Sequence, residues 1–176
     1  MKTAILYLTR DGQTKKISEY IAQSLHGDIT LISLRDVPQP SAEQLAQFDC
    51  IIIGASIRYG HFDPILEPFI QQHYALLNQK KSAFFSVNLT ARKANRNTPE
   101  TNVYTRKLLR RIQWKPNLVE VIAGALRYPR YTFFDRFMIR FIMKITKGDT
   151  DTSKEYEYTD WQKVNQFAKH LNQYFP

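Results

Sequence analysis

The chain has 176 residues, with 25 Lys and Arg against 16 Asp and Glu, a formal net charge of +9 and one cysteine. This length fits one globular domain, expected over 1–176, and no run of about 18 apolar residues is present to cross a membrane. Cys50 alone excludes an intrachain disulfide and fits a reducing compartment, and a start directly in a core strand argues against a signal peptide.

The first element is the apolar run Ala4-Ile5-Leu6-Tyr7-Leu8, within a strand over 3–8. Such an unbroken run is the kind buried on both faces of a parallel sheet. It leads through Thr9-Arg10-Asp11-Gly12-Gln13-Thr14 into a helix over 13–26, with Ile17, Tyr20, Ile21 and Leu25 at helical spacing. Gly12 is able to take positive φ and lets backbone approach a ligand. Thr9 and Thr14 offer hydroxyls, and the helix start offers free N–H groups and a positive dipole end. The turn alone reads equally as a phosphate cradle or an ordinary βα turn. GxxxxGK(S/T) is absent, and so is GxGxxG after a strand, which leaves a compact monophosphate pocket rather than a triphosphate or dinucleotide site.

Further strands are expected at 28–34, 50–54, 82–87 and 118–126, and helices near 42–47, 64–78 and 100–113. Cys50 begins the 50–54 strand, so it reads as a buried structural thiol. A last helix over 159–174 aligns Trp161, Val164, Phe167, Ala168 and Leu171, with Thr159 as cap and Asp160 in its first turn. This alternation predicts an α/β fold, a doubly wound five-stranded parallel sheet with helices on both faces. Ligands of such sheets bind beyond the carboxyl ends of the strands, at the topological switch point. Three loops should converge there: 9–14, then Ser56-Ile57-Arg58-Tyr59-Gly60, then Ser86-Val87-Asn88-Leu89. Tyr59 can stack on a planar ring, with the backbone of the two later loops meeting the ring's polar edge.

The first strand and its turn resemble the FMN-phosphate loop of flavodoxins, and the other two loops are similar to those that flank the isoalloxazine. Asp11 departs from that pattern, in which a hydroxyl residue is usual. An acid beside a phosphate repels it unless it points away or caps the helix. Longer stretches narrow the likeness. Asp11-Gly12-Gln13-Thr14, Ile53-Gly54-Ala55-Ser56-Ile57-Arg58-Tyr59-Gly60-His61, Ser86-Val87-Asn88-Leu89 and Ala123-Gly124-Ala125-Leu126-Arg127-Tyr128-Pro129-Arg130-Tyr131 together resemble the bacterial flavodoxin-like protoporphyrinogen IX dehydrogenases. So do Asp135-Arg136-Phe137-Met138-Ile139 and Thr150-Asp151-Thr152. The resemblance implies FMN, held by Thr9, Arg10, Asp11, Gly12, Gln13, Thr14, Ser56, Ile57, Arg58, Tyr59, Gly60, Ser86, Val87, Asn88 and Leu89. It also implies oxidation of protoporphyrinogen IX in heme biosynthesis, with electrons delivered to menaquinone or ubiquinone.

Charge is concentrated. Residues 92–115 hold eight Lys or Arg against one acid, and residues 127–147 hold six against one. Such a surface seeks an anionic partner. In the second segment Phe134, Phe137, Met138, Phe141, Ile142 and Ile145 follow helical spacing, with Arg136, Arg140 and Lys144 at every fourth position beside them. This predicts a basic amphipathic helix within an insertion at about 127–150, able to lie in a membrane interface. The expected location is peripheral, on the cytoplasmic face of the inner (plasma) membrane; the plainer alternative is a helix packed on the core. The same segment offers Arg127, Arg130 and Arg136 to the two propionates of a porphyrinogen, and Tyr128, Tyr131, Phe133 and Phe134 to its ring, with Arg92, Lys93 and Arg96 as alternatives. No side-chain nucleophile, metal or nucleic acid is expected, and no single residue stands out as the proton acceptor. A soluble electron-transfer flavodoxin or an NAD(P)H:quinone reductase is the alternative reading.

Overall fold

The computed structural model describes residues 1–36 and 38–176. The apolar start of the chain becomes β1 (Lys2–Leu8), in which Ala4, Ile5 and Leu6 are fully buried. Then follow α1 (Gln13–Ser24), β2 (Asp28–Ser33), α2 (Ala42–Ala46), β3 (Cys50–Arg58) and the short β4 (His61–Phe62). After these come α3 (Leu66–Gln79), β5 (Lys81–Asn88), α4 (Val103–Arg111), β6 (Leu118–Ala123) and β7 (Ala125–Arg127). The chain ends through α5 (Phe133–Ile145), β8 (Glu155–Glu157) and α6 (Trp161–Tyr174).

Five strands pair in parallel in the order β2-β1-β3-β5-β6, and β4 folds back antiparallel on β3. The strand order reverses between β1 and β3, so the loops after these strands flank the switch point. Alternate residues of each strand feed opposite layers of core. Leu6, Ile53 and Phe84 meet Phe69 and Leu77 of α3 and Leu108 of α4 on one side. Ile5, Ile52 and Phe85 meet Ile17 and Ile21 of α1 and Phe167 and Leu171 of α6 on the other. Both faces are covered, which is why the strands read as unbroken apolar runs. Cys50 is buried in this core, and burial pushes its thiol up to about 12.

Two expectations are corrected. The strand over 118–126 breaks at Gly124: β6 stays in the sheet, while β7 leaves it and pairs antiparallel with β8. The cap of α6 is Asp160, whose carboxylate accepts from the backbone N–H groups of Gln162 and Lys163. Thr159 is buried instead, its hydroxyl donating to the Ala123 carbonyl. α5 packs by a stripe outside the apolar face read from its spacing. Its packed stripe is Ile139 and Met143, which join Leu126, Tyr128 and Tyr131 in a small core of their own. The larger stripe is outside: Phe133 is 86% exposed, Phe134 65%, Phe137 61%, Phe141 55% and Ile145 65%. Apolar residues occupy most of this helix's circumference, so periodicity alone cannot say which stripe packs. Among the described residues no helix is long and apolar enough to cross a membrane.

Candidate cofactor site

At the carboxyl ends of β1, β3 and β5 lies a cleft of about 550 Å³, counting its open mouth. It brings together Thr9, Arg10, Asp11, Gln13 and Thr14, then Ser56, Ile57 and Arg58, then Val87, Asn88 and Leu89. The three loops predicted to converge therefore do.

The first loop is shaped for an anion. Gly12 stands at the start of α1 with φ 91°, and a Cβ built there would meet nothing within 4 Å. The requirement for glycine is thus conformational, and the space beside it is open. Its N–H donates to Thr9 Oγ1 at 3.0 Å, which tightens the turn. No side chain caps α1 and no acid lies in its first turn, so the free N–H groups of the helix start keep their positive end. Thr14 Oγ1 is buried with no hydrogen-bond partner among the described residues. A buried orphan hydroxyl costs free energy unless something binds it.

Arg58 is the hub of the second loop. Its guanidinium pairs with Asp11, lies 3.7 Å from Asp135 in the first turn of α5, and stands 5.1 Å from the ring centre of Tyr131. Burial works against the Arg58 cation, yet its two carboxylates more than offset this and hold its pKa above the ordinary value. The concern over Asp11 is answered here: its charge is engaged by Arg58 rather than turned on the phosphate loop. Tyr59, at φ 53°, donates its hydroxyl proton to Asp135. Burial and that carboxylate push the Tyr59 phenol up to about 12. The same hydrogen bond, with help from Thr132 and Arg58, holds the Asp135 carboxyl below its usual range.

Several predicted site residues do not face the cleft. Ser86 is fully buried and its hydroxyl meets Thr105 of α4. Gly60 borders a separate hollow and packs near the Tyr104 ring. Arg127 is bound by Gln13, Glu155 and Glu157. Tyr128 is fully buried, its hydroxyl donating to the Asp149 carbonyl at 2.6 Å. Arg136 donates to the carbonyls of Tyr128 and Tyr131, and Arg92 to those of Leu89 and Thr146. None of these four is available to a substrate; each lies in a segment whose side chains close on one another. Arg130 is 57% exposed and pairs with Glu155, and Arg140 and Lys144 are exposed on α5. Gly124, Ala125 and Ile139 also line the cleft and were not singled out. For Ile139 the missed signal is its spacing of four from both Asp135 and Met143, which marks the inner stripe of α5.

The flavodoxin domain family model matches residues 4–153. Protoporphyrinogen IX dehydrogenase (quinone) of Escherichia coli K12 is 49% identical over 97% of this chain and 94% of its own length. The protein of that name from Leishmania major is 50% identical over 95% of this chain and 73% of its own. Among solved structures, oxidised flavodoxin 1 of Bacillus cereus superposes with a TM-score of 0.61 over the full length of both chains, at 19% identity, and so shares the fold. The domain implies FMN, and the residues fit it: an uncapped helix start, an open left-handed glycine and an orphan buried hydroxyl converge where a phosphate is required. By full-length kinship and by fold, the chain belongs to the flavodoxin family, in the group of its quinone-linked protoporphyrinogen IX dehydrogenases.

Proposed function

We propose that this protein oxidises protoporphyrinogen IX to protoporphyrin IX with bound FMN and passes the electrons to a respiratory quinone. The observation that carries the reading is the 49% identity that spans 97% of this chain and 94% of a dehydrogenase named for that reaction. Six electrons and six protons leave the substrate, so three quinones become three quinols. FMN supplies the redox chemistry when bound; the chain binds, orients and shields. The 9–14 loop and the start of α1 take the phosphate. Arg58 holds Asp11 aside. Tyr131 and Ile139, both nearly buried at the cleft wall, offer an apolar surface to a macrocycle and keep water out. With Arg127 and Arg136 engaged internally, Arg130 and the cleft-lining Arg10 are the cations we assign to the propionates.

We further propose that α5 holds the protein on the anionic cytoplasmic face of the inner membrane, where the acceptor, menaquinone or ubiquinone, dissolves. The support is the exposed stripe of Phe134, Phe137, Phe141 and Ile145, with Arg140 and Lys144 beside it. Large apolar patches rimmed by cations are the signature of interfacial helices. Each cation near an anionic leaflet contributes about 1 kcal/mol.

The test is an anaerobic assay with the FMN-loaded protein, protoporphyrinogen IX and either quinone. Porphyrin fluorescence should rise only when quinone is present. No quinone-dependent turnover, together with rapid NADPH oxidation, would replace this reading with that of a nicotinamide-linked quinone reductase.

A further inference from the structure

Gln13, the first residue of α1, is 5% exposed and lines the cleft. Its carboxamide is gripped at both ends. Nε2 donates to Thr159 Oγ1 at 2.9 Å, and Thr159 donates onward to the Ala123 carbonyl at 2.6 Å. Oε1 accepts from the Arg127 guanidinium. The donors run one way, from Arg127 through Gln13 and Thr159 to Ala123. This network assigns the amide a single orientation, with Nε2 also turned to the Glu157 carboxylate.

Arg127 comes from β7, and the antiparallel partner β8 holds it from behind. Glu155 lies at 2.9 Å and Glu157 at 3.6 Å, and the Arg127 side chain is only 12% exposed. Glu157 also takes Lys16 of α1 at 2.7 Å. Arg130 pairs with Glu155 as well, at 2.8 Å, so three cations face the two acids. To Gln13 the cluster supplies orientation, because its acids hold the Arg127 guanidinium that grips the carboxamide.

We infer that Arg127 is a positioning residue of the cofactor-phosphate site, which acts by fixing the Gln13 carboxamide and with it the uncapped start of α1, whose N–H groups take the phosphate. The β7–β8 hairpin, from which the insertion grows, thereby sets how tightly the chain discriminates a phosphorylated flavin from one without phosphate. The inference rests on the FMN reading of the cleft. The two orphan buried atoms of this region, Thr14 Oγ1 and Arg127 Nε, belong to the loop and to the residue that props it.

The experiment titrates the full chain, stripped of flavin, with FMN and with riboflavin, which lacks the phosphate. Arg127→Met should weaken FMN about tenfold, the loss expected for one charge-assisted hydrogen bond, and change riboflavin less than about twofold. Arg127→Lys should recover part of the FMN affinity, and it keeps the test decisive if the Met variant folds poorly. Because Arg127 acts through Gln13, the double variant Gln13→Ala with Arg127→Met should bind FMN no more weakly than Gln13→Ala alone. Equal losses for both flavins, or losses that multiply in the double variant, overturn the inference while FMN binding by the unaltered protein leaves the cofactor reading standing. If the unaltered protein binds neither flavin, the cofactor reading falls and this inference with it.

Discussion

The loop at 9–14 and the insertion at 127–150 are both rich in polar residues, yet they use them in opposite ways. In the loop, Thr9, Asp11, Gln13 and Thr14 line a cleft. In the insertion, Arg127, Tyr128 and Arg136 close on neighbours within the chain, and the aromatics Phe133, Phe134 and Phe137 are the residues left outside. The direction of side chains in a βα turn is fixed locally by a strand end, a left-handed glycine and a helix start. The direction of side chains on a helix that is apolar nearly all round is decided by which stripe finds a partner, a tertiary matter.

The sharpest way to break this contrast is on α5 itself. Met143 is 1% exposed and Phe141 55%. Met143→Ala should cost about 2–4 kcal/mol in urea unfolding, whereas Phe141→Ala should stay within about 0.5 kcal/mol. Equal costs would mean that both stripes are packed and would remove the membrane proposal. At the cleft, Arg58→Ala leaves Asp11 and Asp135 without their cation and should weaken FMN by about 2 kcal/mol, read as a thirtyfold or so rise in Kd. An unchanged Kd would show that Asp11 never threatened the phosphate. On the outer face, the pair Arg140→Glu and Lys144→Glu should weaken partition onto anionic vesicles by about 2 kcal/mol or more, with FMN binding untouched. Retention on vesicles would mean that the stripe serves another partner.

Two smaller effects sharpen the link between the regions, because Asp135 joins α5 to the Tyr59 turn. Its carboxyl is held below the usual range, chiefly by the Tyr59 hydrogen bond. A depressed folded-state pKa gives stability that is complete above the ordinary carboxylate pKa and is lost as pH falls through the lowered value. The acid limb of thermal stability below about pH 4 should therefore contain this contribution, and Asp135→Asn should flatten that part of the limb. Identical limbs would show that the bond adds nothing. Tyr59→Phe deletes only the hydroxyl and should cost about 1 kcal/mol or less in stability, measured by the same unfolding.

The sheet was legible because its strands are covered on both sides, so Ala4–Leu8 or Cys50–Ile53 could belong nowhere else. The cofactor edge was legible because the switch-point rule needs only strand order. Other features depended on contacts distant in sequence. Ser86 has the chemistry of a ligand donor, but its hydroxyl is taken by Thr105, 19 residues away. Thr159 has the chemistry of a helix cap, but Gln13 and Ala123 claim its hydroxyl, and Asp160 caps instead. Gly124 breaks the strand over 118–126 because β8, about 30 residues on, offers β7 an antiparallel partner. Arg127 looked like a free cation for a propionate, since the acids that bind it, Glu155 and Glu157, lie beyond α5.

The central claim is that one flavin site takes electrons from a porphyrinogen and gives them to a quinone. Its most direct measurement mixes the FMN-loaded protein with protoporphyrinogen IX under anaerobic conditions and follows oxidised-flavin absorbance, first without quinone and then with it. The account predicts that the absorbance falls on mixing, returns when quinone is added, and yields three quinols per porphyrin at completion. Flavin that stays oxidised with the porphyrinogen but is reduced at once by NADPH would contradict it.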